Sequence, residues 1–324
     1  MKEYAFSSSL AKRMRAFVTL KRLSGNSYKT QVLMLKYFDQ FLARNKFKLK
    51  YVTRSIYEQY IVTLSHHHPR YRSDQCSVIR QFSVYLSRFE PQCYIPDPVP
   101  AGRSHDDWRA FIFTKDQIRD LLAATANLGH GRLRPHTYRT LFGLLYTTGL
   151  RIGEALALNI EDFYPDTLRI HVRAGKFRKA RWVPVSRSTG DELTKYVALR
   201  QQVASKESGP PPLFISIQRK RLSHDMVHTT FCKLLQQCGI RKSRRHGPRI
   251  HDIRHTFACH RLLEWYRDGQ DINARLPSLA TYMGHVWISS TQIYIQATPE
   301  LHECANQRFL TYIHKNGIIK GGHS

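Results

Sequence analysis

Carboxylates are scarce in this sequence of 324 residues. Only 24 Asp and Glu stand against 51 Lys and Arg, a net charge of +27. Soluble domains usually manage with a net charge of about 2–8, so solubility alone does not call for such an excess. It points to a polyanionic partner, nucleic acid first. Long apolar runs are absent too. No stretch approaches the roughly 18 apolar residues of a membrane span, and no long basic amphipathic stretch favours a membrane surface. The first residues, MKEYAFSSSLAKRMRAF, lack the unbroken apolar core of a secretory signal. The six cysteines (Cys76, Cys93, Cys232, Cys238, Cys259, Cys304) form no Cys-x-x-Cys pair. Reduced thiols, a cytoplasmic and nucleoid-associated location and no cysteine-held zinc are the expectation. A glycine-rich phosphate loop is missing, which removes support for ATP use. No carboxylate pair suits two catalytic metals, and no cofactor is expected.

What is present is a globular chain. Hydrophobic residues make up 42% of it, and the length suits two domains with separate cores. Residues 1–90 read as helical. Val32, Leu33, Leu35, Phe38, Phe41 and Leu42 form an apolar cluster at helical spacing, Thr53 precedes a helix burying Ile56, Tyr60, Ile61 and Leu64, and Val78, Phe82, Tyr85, Leu86 and Phe89 lie on one helix face. His66-His67-His68 precede Pro69 and read as an exposed loop. Residues 1–100 hold 17 basic and six acidic side chains, so this domain is expected to grip DNA. Pro91, Pro96, Pro98 and Pro100 preclude a regular helix and mark a connector. The domains are placed at 1–98 and 112–324, with a linker at 99–111. Thr114-Lys115-Asp116-Gln117 is a capping box that opens the first helix of the second domain.

That domain carries the chemistry. A helix with Leu141, Leu144 and Leu145 runs into Thr148-Gly149-Leu150-Arg151-Ile152-Gly153-Glu154. The glycine stops it and a second helix begins, which holds Arg151 at the junction. Its planar fork suits two phosphate oxygens, and Glu154 is its natural partner. The periodicity then changes from helical to alternating. Leu168–Val172 and Arg181–Val185 read as paired strands around a tip in which Arg173, Lys176, Arg178, Lys179 and Arg181 are basic. Ser223 starts a helix that Gly239 stops, and a loop with Arg244 and Arg245 leads to His251-Asp252-Ile253-Arg254-His255. His251 and Arg254 share a helix face. Glu264–Gln270 reads as a loop. Gly284 is the expected cap of a further helix, with His285 just past it. Ser289 or Ser290 then caps a short helix bearing Tyr294.

These features, in this order, resemble the tyrosine recombinase (phage integrase) family over about residues 112–310, in a form typical of mobile elements. The resemblance implies a mainly α fold with a small β-hairpin or sheet in the second domain. The two domains would form a clamp on double-stranded DNA: a SAM-like core-binding domain and a catalytic domain with a C-terminal tail helix. It implies DNA integration, excision or transposition without metal or ATP. Tyr294 would attack the scissile phosphate and leave a 3′-phosphotyrosine and a free 5′-hydroxyl. Arg151, Arg254 and His285 would bind the phosphate, Lys176 would protonate the leaving oxygen, and His251 would help take the tyrosine proton. Arg173, Arg178, Lys179, Arg181, Arg244 and Arg245 are candidate DNA contacts. A homotetramer on paired sites is expected, with residues 299–315 as a helix exchanged between protomers. Two readings stand beside this one: a type IB topoisomerase, which would relax plasmids at any site, and a non-catalytic DNA-binding protein, which would form no covalent adduct. A zinc site on His251 and His255, spaced i, i+4, would need Glu rather than Asp at position 252.

Overall fold

The computed structural model describes residues 5–25, 28–98, 110–129, 131–173, 180–203, 210–240 and 247–284. The chain divides into two compact units, Met1–Trp108 and Arg109–Ser324.

The described residues of the first unit form four helices: α1 (Ala11–Leu23), α2 (Lys29–Arg44), α3 (Arg54–Thr63) and α4 (Pro69–Leu86). Local chemistry sets their starts. The Thr53 hydroxyl accepts the Ile56 N–H and opens α3. The His68 ring accepts the Arg70 N–H, and Pro69 fills the first helical position, where no N–H is needed. The three adjacent histidines are exposed, as a loop should be. The apolar stripes of α1, α2 and α4 meet in a core that buries Phe17, Leu35, Phe38, Leu42 and Phe82. Two expectations fail here, and the first is Leu33, which belongs to the α2 cluster by spacing but is 44% exposed. The second is Phe89, read as continuing the buried stripe, but α4 ends at Leu86. Phe89 lies past the helix end, 48% exposed, with the Arg13 guanidinium 4.1 Å from its ring centre. The stripe outlasts the helix because the chain turns there: the N–H groups of Phe89 and Glu90 both bond back to the Leu86 carbonyl.

In the second unit the described helices are α5 (Lys115–Ala124), α6 (Leu133–Thr148), α7 (Ile152–Ala157), α8 (Arg187–Val203), α9 (His224–Gln237), α10 (Ile250–Arg267) and α11 (Ile272–Met283). Thr114 and Gln117 form the expected reciprocal cap on α5. The strands are β1 (Phe163–Tyr164), β2 (Arg169–Val172) and β3 (Arg181–Pro184), in the order β1-β2-β3, all antiparallel. The pairing of β2 with β3 follows the sequence; β1 adds a short third strand. Ile170 and Val183 face each other across the ladder and are fully buried. Helix α10 belongs to two cores. Its start packs Ile250 and Ile253 with Leu141, Leu145 and Phe231, and its later turns pack Phe257 and Leu262 with Leu276, Leu279 and Met283. It also runs further than expected. Glu264–Arg267, read as a loop, is helical because no breaker precedes Gly269 and because Trp265 and Tyr266 pack on the second core. No helix among the described residues is long and apolar enough to cross a membrane.

Candidate active site

The site begins where α6 stops. Gly149 takes φ +61, and a Cβ there would sit 2.3 Å from the Phe257 ring, so the turn needs glycine for two reasons. Leu150 is buried and anchors the turn, and Arg151 follows as the residue that opens α7. Glu154 closes back on it. The Arg151 N–H donates to one carboxylate oxygen at 3.0 Å and its Nη1 donates to the other at 2.9 Å.

Glu154 is 5% exposed, and it holds a second cation. Arg181, from β3, donates through Nη1 and Nη2 to the two Glu154 oxygens at 3.1 and 2.8 Å. Burial alone pushes the Glu154 carboxyl up, but the hydrogen bonds and charges of Arg181 and then Arg151 outweigh it and hold it down at about 2. The carboxylate is therefore ionised at every physiological pH.

The same three-residue stretch at the end of α11 receives three arginines. Arg181 Nε donates to the Tyr282 carbonyl at 3.1 Å, Arg254 Nη2 to the Met283 carbonyl at 2.8 Å, and Arg151 Nη2 to the Gly284 carbonyl at 3.0 Å. Carbonyls at a helix C-terminus lack partners inside the helix and carry the negative end of its dipole. Three guanidiniums meeting there satisfy both demands. Gly284, at φ +68, caps the helix as the sequence indicated; a Cβ on it would lie 2.9 Å from Arg181 Nη1. Arg254 is 2% exposed, and its Nη1 also reaches the Gly149 carbonyl at 2.6 Å. Thus Arg151 and Arg254, far apart in sequence, are both fixed against the end of α11, and Arg254 also against the end of α6.

His251 stands exposed on the first turn of α10, its ring 4.8 Å from that of His255 and nearly perpendicular to it. Burial, then the charges of His251, Arg249 and Arg254, lowers His255 to about 4, so its ring is neutral. Asp252, 3% exposed, accepts the Arg249 N–H at 2.7 Å and closes the start of the helix.

The structure thus brings Arg151 and Arg254 together and places His251 three residues before Arg254. Lys176, Arg178 and Lys179, then Arg244 and Arg245, then His285, Tyr294 and the tail helix lie outside the described residues. Two of the candidate DNA contacts turn out to hold carboxylates. Arg173 binds Asp162 and, at 2.7 Å, Glu161. Arg181 turns inward to Glu154. The signal for that inward turn was in the strand pattern: Arg181 is two residues from buried Val183, so both lie on the core face of β3.

Residues 112–300 match the phage integrase family. A Sinorhizobium fredii protein named as an integrase/recombinase, y4rB, is 36% identical over 74% of this chain and 78% of its own length. The tyrosine recombinase XerC of Thermodesulfovibrio yellowstonii is 35% identical over 48% of each chain. Among solved structures, the Tn1549 transposon integrase in complex with circular intermediate DNA superposes with a TM-score of 0.64. It covers 92% of this chain and 99% of the other at 16% identity, a likeness of fold. The motif order, the paired arginines and these matches agree: the chain belongs to the phage integrase family, the tyrosine recombinases, enzymes that carry out site-specific DNA recombination.

Proposed function

We propose that this recombinase cuts a DNA strand through Tyr294 and rejoins it to a new partner. The observation that carries the reading is the meeting of Arg151 and Arg254 on the carbonyls of Gly149, Met283 and Gly284. A phosphodiester under attack gains negative charge on its oxygens, and preorganised cations aimed there lower the barrier. The Arg151 guanidinium has five N–H donors and uses Nη1 on Glu154 and Nη2 on Gly284. Arg151 retains 22% side-chain exposure, an open edge for a non-bridging oxygen. The Tyr294 phenol loses its proton toward His251 and bonds to phosphorus. The 5′-oxygen leaves with a proton from Lys176, while His285 adds a hydrogen bond to the phosphate. The reverse attack by a 5′-hydroxyl of a second strand releases the tyrosine. No nucleotide is consumed, since the phosphotyrosine conserves the bond.

DNA is the partner. Arg178, Lys179, Arg244 and Arg245 supply phosphate contacts, and the basic first unit adds to them, so affinity falls steeply with salt. The enzyme works as a tetramer on paired sites, with residues 299–315 of one copy docked on the next. A cavity of about 490 Å³ in the second unit, lined by Tyr146, Phe257, Trp265 and Leu279 together with His260, Arg261 and Glu264, offers a seat of mixed character.

The test uses the whole protein and a pool of nicked duplexes of random sequence. Nicking lets the short downstream strand escape and traps the covalent adduct. Trapped DNA is sequenced to find the site. The wild type is expected to form the adduct in chelator, and Tyr294→Phe to form none. An adduct that survives Tyr294→Phe refutes the nucleophile; relaxation of plasmids without a preferred site supports a topoisomerase instead.

A further inference from the structure

We propose that Arg181 is a positioning residue of this reaction, which sets Arg151 through their shared carboxylate. The proposal rests on the reading of Arg151 as a phosphate ligand. Arg181 is not built to touch DNA itself. Its side chain is 14% exposed, and all three guanidinium nitrogens are committed: Nε to the Tyr282 carbonyl, Nη1 and Nη2 to Glu154. Each Glu154 oxygen is shared. One takes Nη1 of both arginines; the other takes Arg181 Nη2 and the Arg151 backbone N–H. The carboxylate cannot swing toward Arg151 while Arg181 grips both of its oxygens. Arg151 is thereby denied a symmetric, two-armed pair with Glu154, and part of its fork remains for a substrate.

The second hold is on the turn. The Arg181 guanidinium packs on the face of Gly284 where a side chain would stand, while the Gly284 carbonyl binds Arg151. Arg181 therefore touches both supports of Arg151. A lysine cannot replace it, because a single ammonium does not span a carboxylate edge and a carbonyl together.

The experiment compares Arg181→Lys and Arg181→Ala, each in the wild-type and Arg151→Ala backgrounds. Full-length protein is used with the DNA site recovered from the random pool. Three quantities are read: adduct formation at saturating DNA, DNA affinity and thermal melting. Arg181→Lys is expected to melt as a folded protein and to bind DNA as the wild type does. Its adduct rate is expected to fall about 10–100-fold, the usual cost of losing a group that orients a ligand-bearing one. In the Arg151→Ala background the same change is expected to add no further loss, because the two act through one element. A wild-type rate in Arg181→Lys overturns the proposal. So does a loss confined to affinity, which would make Arg181 a DNA contact, or a loss that persists undiminished without Arg151. Arg181→Ala extends the series; if it fails to fold, the lysine variant carries the test alone. A wild type that forms no adduct overturns the recombination reading and this one with it, whereas an active wild type with an unaffected Arg181→Lys overturns this one only.

Discussion

Asp39 in the first unit and Glu154 in the second are both buried carboxylates, 1% and 5% exposed, but their partners differ in kind. Asp39 accepts the N–H groups of Ser7 and Ser8 at 2.8 and 3.0 Å and the Ser7 hydroxyl at 3.3 Å. These donors are neutral, and the result is a staple that pins the start of the chain to α2. Glu154 accepts two guanidiniums, and the result is a pair of cations held at fixed positions. The first unit uses a buried charge to close its own fold. The second uses one to arrange other charges for a substrate.

The strongest way to break this contrast is Glu154→Ala. Removing one partner of a buried pair leaves the other charge uncompensated and costs about 3–5 kcal/mol. Denaturant unfolding is expected to show a loss of that size in the second unit, and adduct formation is expected to collapse. Asp39→Ala strands only neutral donors, at about 1–3 kcal/mol for the unsatisfied groups, and is expected to weaken the first unit while DNA cleavage at saturating DNA survives. Equal losses of cleavage in the two variants would erase the distinction.

Gly149→Ala comes next. The positive φ and the 2.3 Å approach to Phe257 both oppose a side chain, and overpacking of this sort costs about 1–3 kcal/mol. A lowered melting temperature is expected, together with slower cleavage, since the Gly149 carbonyl holds Arg254. Gly153, with open space around its missing Cβ, serves as the control and should tolerate alanine.

Acid separates the groups of the second unit by pH. The Glu154 value of about 2 lies below the ordinary 4.5, so its contribution is complete above about pH 4.5 and is lost as the pH falls through 2. His255 at about 4 lies below the ordinary 6.5, so the unfolded chain takes up a proton that the folded one refuses. Its contribution is complete above pH 6.5 and is lost as the pH falls toward 4. Stability measured against pH should therefore decline first below 6.5, and His255→Gln should remove that first decline while leaving the one below 4.5. The smallest effect belongs to the surface of the first unit. Phe89→Ala loses an exposed contact with Arg13 and should cost about 0.5–1 kcal/mol, visible only in careful denaturation curves.

The sequence carried those parts of the fold that depend on neighbours in the chain. Thr53, Thr114 and Ser223 cap the helices they were expected to cap, and Gly149 and Gly284 stop theirs. The motif residues Arg151 and Arg254 were legible as a pair through the family resemblance that their motifs carry. Their supports were not. Each guanidinium rests on carbonyls that any residue type supplies, contributed by chain 133 or 105 positions away, and no side-chain pattern marks a backbone acceptor. The inward turn of Arg181 was readable from strand alternation, but five basic residues around one hairpin tip read more naturally as a surface. Phe89 misled because a period of 3.6 continues past the point where the backbone stops obeying it.

The end of α11 has a thermal consequence. Tyr282, Met283 and Gly284 hold three arginines through one turn of helix, so fraying of that turn releases all three together. Helix ends open at a lower free energy than the cores behind them. Gentle heating should therefore weaken all three holds together and lower activity gradually, before the protein as a whole unfolds.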